Sequence, residues 1–443
     1  MTDSSVGGAR PGGFSALGRT AVTVVCLALL AWNVALVLVM ERGLVRSDFG
    51  KLHASARAYL AGRDMYDLGP ATLSPVRGMT GDILHYIQFL NLNPPHFHLI
   101  LLPLAPLPGR WALVVWGIVS LVCLGLSLRL IAREAGVVLT PWRWRLAALA
   151  LLSFAGLGAV AVTGQVSFIL LLPMTLAWIR ARRGRWAEAG VYLGLAMSVK
   201  SFLGIFLPYL VLRRRFDALG AALAAGAGAF VIGLGVFGWE AHRSWIAGLS
   251  AVSWEWVAMN ASLLGFLKRV LAPSAYYEPL LDAPRLIGPT WLLLSGVIAA
   301  VTFAVVATDA GDRAVDRSFG LLLLAALLIS PLGWTYYWWL ALGPMIVVVA
   351  AWSRWNVEAE RSTISSAGRW RWALLLVAVP GLIWPLPATV WFQPSPWATV
   401  LTGSAYFWAT LALWAALIAD RRVAGDRIDG VLSWGRRQVR GAK

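Results

Sequence analysis

Apolar segments long enough to cross a membrane follow one another along most of this 443-residue chain. The first covers residues 20–40, with Asn33 as its one strongly polar member, and others continue as far as Asp420. A helix needs about 20 apolar residues to span the ~30 Å hydrocarbon core of a bilayer. The pattern predicts an all-α integral-membrane protein, a polytopic helical bundle of about 11–12 membrane segments.

The composition favours the same class of protein. Hydrophobic residues make up 59% of the chain, charged residues 13%, and the mean hydropathy is +0.70. A soluble chain carries about 25% charged residues. The two cysteines, Cys26 and Cys123, lie in apolar segments and are expected to be buried apolar residues without a disulfide. Residues 20–40 are too long for the apolar core of a signal peptide, and no cleavage site precedes Glu41, which predicts a retained signal anchor.

The basic residues are distributed unevenly between the two sides of the predicted membrane. The formal net charge is +17, and 26 of the 38 Lys and Arg residues fall on one side, whereas the acidic residues divide 12 to 9. Because positively charged loops stay in the cytoplasm, the excess indicates topology and not a nucleic-acid partner. Both termini are therefore expected in the cytoplasm. The cytoplasmic basic groups are Arg10, Arg19 and those within 129–145, 180–185, 213–215, 313–317, 354–371 and 421–443.

The same assignment divides the chain into regions. Residues 1–18 are predicted to be a disordered cytoplasmic N-terminus, 19–420 a transmembrane domain, and 421–443 a basic cytoplasmic tail. Two long segments, 41–109 and 239–287, are predicted to lie outside. Polar residues concentrate in the first of them, which makes it the expected place for chemistry.

The segment 186–212 carries a basic cluster at each end, RARRGR before it and LRRRF after it. Both clusters should lie in the cytoplasm, and a single crossing does not allow this. Two helices of about 12–13 residues, turning near residues 198–201, satisfy both ends because such helices reach only about 20 Å. The turn would hold Lys200 below the outer surface, in protein or in a water-filled cavity. A lysine extending to the surface from a helix end is the alternative.

A short amphipathic helix is predicted within residues 46–67, beginning near Asp48 and ending at Gly62. The helix is expected to lie on the outer surface of the membrane. Asp48 is then either the N-cap of this helix or a carboxylate available for chemistry, and the sequence leaves both open. The predicted apolar face holds Phe49, Leu52, Ala56, Tyr59 and Leu60, with Lys51, His53 and Arg57 turned elsewhere.

Three histidines of the first outer segment, His85, His96 and His98, are candidate metal ligands. The His96-x-His98 spacing is weak support for a metal site without further spaced ligands. We predict no metal site and no cofactor, and the sequence leaves dependence on a divalent metal open.

An ordered set of short motifs over about residues 40–340 resembles glycosyltransferase family 87, a family of membrane enzymes that use polyprenyl-phosphate sugars. Each motif is short, and the specificity of the resemblance comes from their order along the chain. The motifs are Asp48-Phe49, ARAYLAGRDMYD with Gly62, Tyr66 and Asp67, Pro94-Pro95, Gly164-Gln165, RRGRWAEAGVYLGLAMSVK ending on Lys200, Asn260-x-Ser262-Leu263 with Arg269, and Ser330-Pro331 with Trp334.

The resemblance implies a C-type glycosyltransferase architecture, with outer loops roofing a cavity at the outer face of a bacterial plasma membrane. It implies transfer of a sugar, mannose being favoured, from a polyprenyl phosphate to a hydroxyl of a lipid or glycan acceptor. Asp48 matches the family's catalytic position and is the expected general base of an inverting reaction. Lys200 and Arg269 are expected to bind the donor phosphate. Further substrate-binding candidates are Gln165, Asn260, Tyr336, Tyr337 and His53.

Two positions depart from the family pattern. Asn93 precedes the proline pair where an aromatic residue is usual, and Tyr336-Tyr337 stands where a histidine pair is usual. The second departure is compatible with an inactive glycosyltransferase-like scaffold.

A transporter or lipid flippase is the alternative from another class, but such proteins often show inverted repeats and charged residues within their helices. This chain shows no repeat, and its polar residues lie at the outer boundary.

Overall fold

The computed structural model describes residues 16–42, 48–67, 90–138, 140–274, 277–311, 313–359, 366–385 and 395–420. These residues form helices joined by short turns, and β-type pairing among them is limited to one bridge between Asn260 and Trp334. The predicted all-α class is confirmed. The predicted basic tail and most of the predicted disordered N-terminus lie outside the described residues.

The helices are numbered here in chain order. The α-helices are α1 (Ala16–Arg42), α2 (Asp48–Leu60), α3 (Gly109–Glu134), α4 (Pro141–Ser153), α5 (Ala155–Thr163), α6 (Ser167–Arg182), α7 (Trp186–Val199), α8 (Phe206–Leu212), α9 (Phe216–Ser250), α10 (Leu263–Leu271), α11 (Ile287–Thr308), α12 (Ala314–Ile329), α13 (Leu342–Ala359), α14 (Ser366–Ile383), α15 (Pro396–Leu401) and α16 (Ala405–Asp420). The 3-10 helices are Pro95–Ile100, Leu102–Leu104, Ser201–Ile205, Pro284–Leu286 and Thr335–Ala341.

Fewer helices than predicted are long enough to cross a membrane on their own. Within the described ranges, five helices meet the requirements of length and apolar composition, and the pair α4–α5, bent by 55°, makes a sixth if it is one span. Shorter apolar helices account for part of the difference, because the prediction counted apolar sequence without the breaks that divide it. The five spans are Gly18–Leu38, Gly109–Glu134, Phe216–Ser250, Pro284–Thr308 and Thr335–Trp352.

Helix α12 forms the centre of the bundle. It has 16 residues, and every residue from Arg317 to Leu328 is buried. A helix that is apolar on all sides is stable only when other helices surround it. The short length of α12 therefore fits an interior position, where neighbouring protein replaces the lipid that a longer helix would contact.

The segment between the two basic clusters turns back on itself, as its charge pattern predicts. Helix α7 ends at Lys200, whose backbone is extended (φ −132°, ψ 99°), and a 3-10 turn leads into α8. The Arg215 guanidinium then lies 4.7 Å from the centre of the Trp186 ring, so the two ends of the segment meet. Lys200 consequently lies at the tip of a helical hairpin.

Close packing of α7 against α9 fixes the direction of this hairpin. A Cβ atom at Gly190 would overlap the backbone of Ala218, and one at Gly194 would overlap the backbone of Ala222. Glycines one helical turn apart thus let the two helix backbones approach closely.

Several predicted cytoplasmic clusters meet at one end of the bundle, called here the arginine-rich end. Arg182 of α6 pairs with Glu134 of α3 at 2.9 Å and with Asp316 of α12 at 3.1 Å. Arg317 bonds to Asp309 at 2.7 Å and to Asp420 at 3.2 Å. Charges taken out of water need such partners. Loops that were assigned to one side of the membrane therefore contact one another.

Helix α9 is longer than predicted. A helix ending near residue 238 was expected, but α9 continues to Ser250, with a break at Gly238 (φ 76°, ψ 173°). Only glycine adopts this backbone conformation readily. The Nδ1 atom of His242, one turn after the break, donates to the Gly238 carbonyl at 2.8 Å. The predicted outer segment 239–287 therefore begins as a redirected helix.

Candidate active site

Asp48 is the first residue of α2, and its carboxylate contacts other side chains. Its Oδ1 atom lies 2.5 Å from Nζ of Lys51, one helical turn further on. Its Oδ2 atom accepts a hydrogen bond from Nε2 of Gln165. The Asp48 side chain keeps 24% of its surface exposed. The site therefore holds an oriented carboxylate with an open side.

The exposed position predicted for α2 is wrong, because other segments cover the helix on more than one side. Phe49, Leu52 and Ala56 are buried as predicted, but Lys51 and His53, predicted to turn away from the apolar face, are buried too. The segment around residues 90–105 packs over the helix, as shown by the contact of Asn91 Nδ2 with Ser55 Oγ at 2.7 Å. On the predicted apolar face, Leu60 is exposed.

Gln165 reaches Asp48 from the turn between α5 and α6. Helix α5 ends at Gly164 in the left-handed conformation (φ 65°), which favours glycine. Trp116 of α3 donates to the Gly164 carbonyl at 2.9 Å and anchors the turn. Nε2 of Gln165 carries two hydrogens, and it also donates to the Tyr336 hydroxyl at 3.0 Å. Gln165 thus connects Asp48 with the 3-10 helix Thr335–Ala341.

The two tyrosines that depart from the family pattern form one wall of the site. The rings of Tyr336 and Tyr337 meet edge to face with centroids 4.8 Å apart, and both residues are buried. The Phe202 ring, just beyond the tip of the α7–α8 hairpin, lies 5.0 Å from the Tyr337 ring. The tyrosine pair therefore joins the carboxylate side of the site to the hairpin.

Lys200 approaches this wall from the hairpin tip. Its Nζ atom donates to Asn93 Oδ1 at 2.7 Å and lies 5.7 Å from the centre of the Tyr337 ring. The predicted site residues Asp48, Gln165, Lys200, Tyr336 and Tyr337 therefore form one continuous group.

Asn93 and Lys51 are polar members of this group that sequence reasoning did not assign to the site. Asn93 was noted only as a departure from the family pattern, yet it holds Lys200, and its carbonyl accepts from the Tyr66 hydroxyl at 2.6 Å. Lys51 was placed off the apolar face. Its separation of three residues from Asp48 on one helix is the signal that could have identified the pair.

Asn260 supports the tyrosine wall from behind. Its Nδ2 atom donates to the Pro331 carbonyl at 2.8 Å, and its Oδ1 atom accepts from the Gly333 amide at 2.8 Å. Asn260 is fully buried. It fixes the loop that leads into Trp334 and Tyr336 and makes these contacts within the protein, so its position is that of a scaffold residue.

Arg269 is anchored in the protein interior. Its Nη1 atom donates to the carbonyls of Trp256, Val257 and Asn260 at 3.1–3.2 Å, and its Nε atom donates to Ser404 Oγ at 3.1 Å. Burial lowers the pKa of Arg269 to about 10. Of the guanidinium nitrogens, Nη2 has no hydrogen-bond partner within the described residues. These contacts fix the loop that carries Asn260.

The remaining histidine candidates take part in packing. Nε2 of His53 donates to the Leu104 carbonyl at 3.2 Å, and burial lowers the pKa of His53. His98 is fully buried, which lowers its pKa to about 4. Its Nδ1 donates to the Pro94 carbonyl at 3.1 Å and its Nε2 accepts from Asn91 Nδ2 at 2.7 Å, as expected of a neutral imidazole. His85 lies outside the described residues. Among the described residues, no group of three or more potential metal ligands occurs.

The site lies far from the arginine-rich end. Helix α6 runs from beside Gln165 to Arg182, and α7 runs from Trp186 to Val199, next to Lys200. Helices of 16 and 14 residues put about 20 Å between the two ends. A polytopic membrane protein with an oriented carboxylate and a lysine at one end of its helical bundle is thus defined by fold and site together.

The sequence profile of glycosyltransferase family 87 matches residues 91–331. This match covers more than half of the chain, and the protein belongs to that family. The matched range includes Asn93, Gln165 and Lys200 and ends before Tyr336; Asp48 precedes it. The family resemblance read from the ordered motifs is confirmed, and nothing in the comparisons supports a transporter.

The similar proteins are mycobacterial enzymes. The polyprenol-phosphate-mannose-dependent alpha-(1-2)-phosphatidylinositol pentamannoside mannosyltransferase of Mycolicibacterium smegmatis is 28% identical over 59% of this chain and 60% of its own length. The Mycobacterium tuberculosis protein of the same name is 27% identical over 74% of this chain and 73% of its own. A phosphatidylinositol mannoside mannosyltransferase of Mycobacterium tuberculosis is 25% identical over 90% of this chain and 91% of its own. No solved structure matches the chain.

Proposed function

We propose that this protein transfers a mannosyl group from polyprenyl-phosphate mannose to a hydroxyl of a lipid or glycan acceptor, with Asp48 as the general base. The observation that carries the proposal is the arrangement of Asp48, whose carboxylate is oriented by Gln165 and partly open, in one group with Lys200 that Tyr336 and Tyr337 connect. A base and a cation within one site are the two groups that this reaction requires.

Asp48 supplies the base. An acceptor hydroxyl is a poor nucleophile until its proton is removed as its oxygen attacks the anomeric carbon. Oδ1 of the Asp48 carboxylate can take that proton while Gln165 holds the carboxylate through Oδ2. One base acting on one face of the sugar gives direct displacement with inversion, by analogy with glycosidases, in which retention requires a second carboxylate as nucleophile.

Lys200 supplies the cation for the leaving group. When the bond between the anomeric carbon and the phosphate oxygen breaks, the electron pair goes to the phosphate, which gains one negative charge. Lys200 is held at the hairpin tip by Asn93 and packs against the Tyr337 ring, so its ammonium is already positioned before the charge develops. Positioning of this kind is a main source of transition-state stabilisation.

Arg269 was the second phosphate ligand expected from the sequence, and its contacts favour a structural role. Three backbone carbonyls and Ser404 already accept from its guanidinium, and the residue is almost fully buried. Only Nη2 could reach a phosphate oxygen. We therefore assign the donor phosphate to Lys200 and treat Arg269 as the residue that anchors the loop behind the tyrosine wall.

The identity of the donor sugar and the acceptor class rest on the relatives. Mannose is favoured because each similar protein named above is a polyprenol-phosphate-mannose-dependent mannosyltransferase. Their names also favour a phosphatidylinositol mannoside acceptor, that is, a lipid with exposed sugar hydroxyls. A lipid-borne donor suits a site at one face of a membrane bundle. We further propose that the protein lies in a bacterial plasma membrane with both termini in the cytoplasm and the site at the outer face.

A transfer assay with purified protein tests the proposal. The protein in nanodiscs is given radiolabelled polyprenyl-phosphate mannose and a mycobacterial lipid extract, and the labelled lipid product is isolated. We expect label in a mannolipid and an α-anomeric linkage, formed with inversion from a β-linked donor. Donor that stays intact with every acceptor fraction, while the protein remains monodisperse, would overturn the proposal.

A further inference from the structure

Lys51 occupies one oxygen of the proposed base. Its ammonium lies 2.5 Å from Oδ1 of Asp48, while Gln165 donates to Oδ2, so both carboxylate oxygens have donors. A lysine at this distance occupies Oδ1, the oxygen that an acceptor hydroxyl would otherwise approach. In the substrate-free site, the ion pair with Lys51 therefore blocks Oδ1 of the proposed base.

The charges around Lys51 suggest that the incoming donor phosphate breaks its ion pair with Asp48. The Lys51 side chain is only 10% exposed. Its partner Asp48 is connected to Lys200 through Gln165 and the tyrosine pair. Two lysines with Asp48 between them give a net charge of +1, and an incoming phosphodiester carries one negative charge. A lysine ammonium sits on a flexible four-carbon stem and can reach a new partner without backbone movement.

We propose that Lys51 exchanges partners during the reaction, pairing with Asp48 in the empty site and with the donor phosphate when the donor is bound. This inference rests on the proposed function. The exchange frees Oδ1 of Asp48 to accept the acceptor's proton only when a donor is present.

The charges balance through the transfer step. Before transfer, the donor phosphate and Asp48 each carry one negative charge, and Lys51 and Lys200 each carry one positive charge. The acceptor oxygen forms the new bond to the anomeric carbon, its proton moves to Asp48, and the electron pair of the broken bond stays on the phosphate. The phosphate then carries two negative charges beside two lysines, and Asp48 is neutral. The site remains neutral from donor binding to product formation.

The alternative is that Lys51 only anchors the first turn of α2. Binding of the product, a short-chain polyprenyl phosphate, separates the two because it needs no turnover. In Asp48→Asn, Lys51 loses its competing partner, and partner exchange predicts that polyprenyl phosphate binds about tenfold more tightly than to the wild type. In the double variant Asp48→Asn/Lys51→Met, the gain should disappear.

Matched variants complete the experiment, with affinity measured by microscale thermophoresis in nanodiscs and folding checked by thermal unfolding. Lys268 pairs with Glu255 at 2.8 Å and not with Asp48, so Asp48→Asn/Lys268→Met should bind as tightly as Asp48→Asn. Equal affinities of Asp48→Asn and Asp48→Asn/Lys51→Met would overturn the exchange and leave the proposed function standing. A wild-type protein that binds polyprenyl phosphate no better than the uncharged polyprenol would instead overturn the proposed function.

Discussion

The side-chain amide of Gln165 donates to the Asp48 carboxylate across 117 positions of the chain. Gln165 lies in a turn held by Trp116, and Asp48 opens a helix that is covered by the segment around residues 90–105. Two rigid elements therefore fix the carboxylate before any substrate arrives. This contact sets Asp48 apart from a surface carboxylate that only begins a helix, and it supports the proposed role of Asp48 as the base.

Replacing Asp48 by Asn should abolish turnover without unfolding the protein. Asn keeps the shape of the side chain and can still accept from Gln165, but it cannot remove a proton. The ion pair with Lys51 is lost, but the Asp48 side chain is 24% exposed, and water can contact the Asn side chain and Lys51 in its place. We expect turnover to fall by at least about 10²-fold, with thermal stability nearly unchanged. Near-normal turnover would show that the base lies elsewhere in the outer loops.

Replacing Lys200 by Met should weaken donor binding by at least about tenfold, because a charged hydrogen-bonding group at the phosphate is lost. Equilibrium binding of polyprenyl-phosphate mannose measures the effect, and size-exclusion chromatography checks that the variant stays monodisperse. Lys268→Met, which removes a lysine paired with Glu255, is the control and should leave the affinity unchanged. Equal affinities for all three proteins would exclude Lys200 from the phosphate site.

Arg269→Lys should lower stability more than donor affinity. Lysine cannot reproduce the fork that donates to three carbonyls and to Ser404, so buried acceptors lose their partners. We expect a loss of about 2–3 kcal/mol, seen as a lower Tm in a thermal scan. Donor affinity of the folded variant should stay within about twofold of the wild type. A large loss of affinity at unchanged Tm would return Arg269 to the phosphate site.

His98 should make stability depend on pH below neutrality. Its folded-state pKa of about 4 lies below the ordinary value of 6.5, so the unfolded chain binds a proton first as pH falls. Stability is fully present above pH 6.5 and declines towards pH 4, by up to about 3 kcal/mol. His98→Gln, which keeps a donor and an acceptor, should show a shallower decline of Tm over this range. Parallel Tm curves for the two proteins would contradict this prediction.

The membrane orientation is tested by labelling two positions outside the described residues. In a variant with Cys26 and Cys123 replaced by Ala, a single cysteine is placed at Ser74 or at Ser433. An impermeant thiol reagent added to intact cells should label Ser74→Cys and leave Ser433→Cys unmodified, because 41–109 is predicted outside and 421–443 inside. The reverse labelling would invert the topology and move Asp48 to the cytoplasmic face.

The sequence alone determined the class of the protein and much of its organisation. Apolar segment length and the basic clusters predicted an all-α membrane bundle and the hairpin with Lys200 at its tip. Both features depend on the local balance of charge and apolar surface. The short amphipathic helix at Asp48 was predicted for the same reason. Its burial was not, since burial depends on a distant segment that folds over it.

Only the tertiary structure decided which polar residues share a site. Asp48, Gln165, Lys200 and Tyr336 come from four separate parts of the chain, and their contacts depend on helix packing that local patterns do not encode. The same packing moved Arg269 into the interior and brought Asn93 to Lys200. Lys51 was predicted to turn away from the apolar face, but it is buried. Helical periodicity gives the direction of a side chain on its own helix, whereas burial also depends on which other elements pack beside that helix.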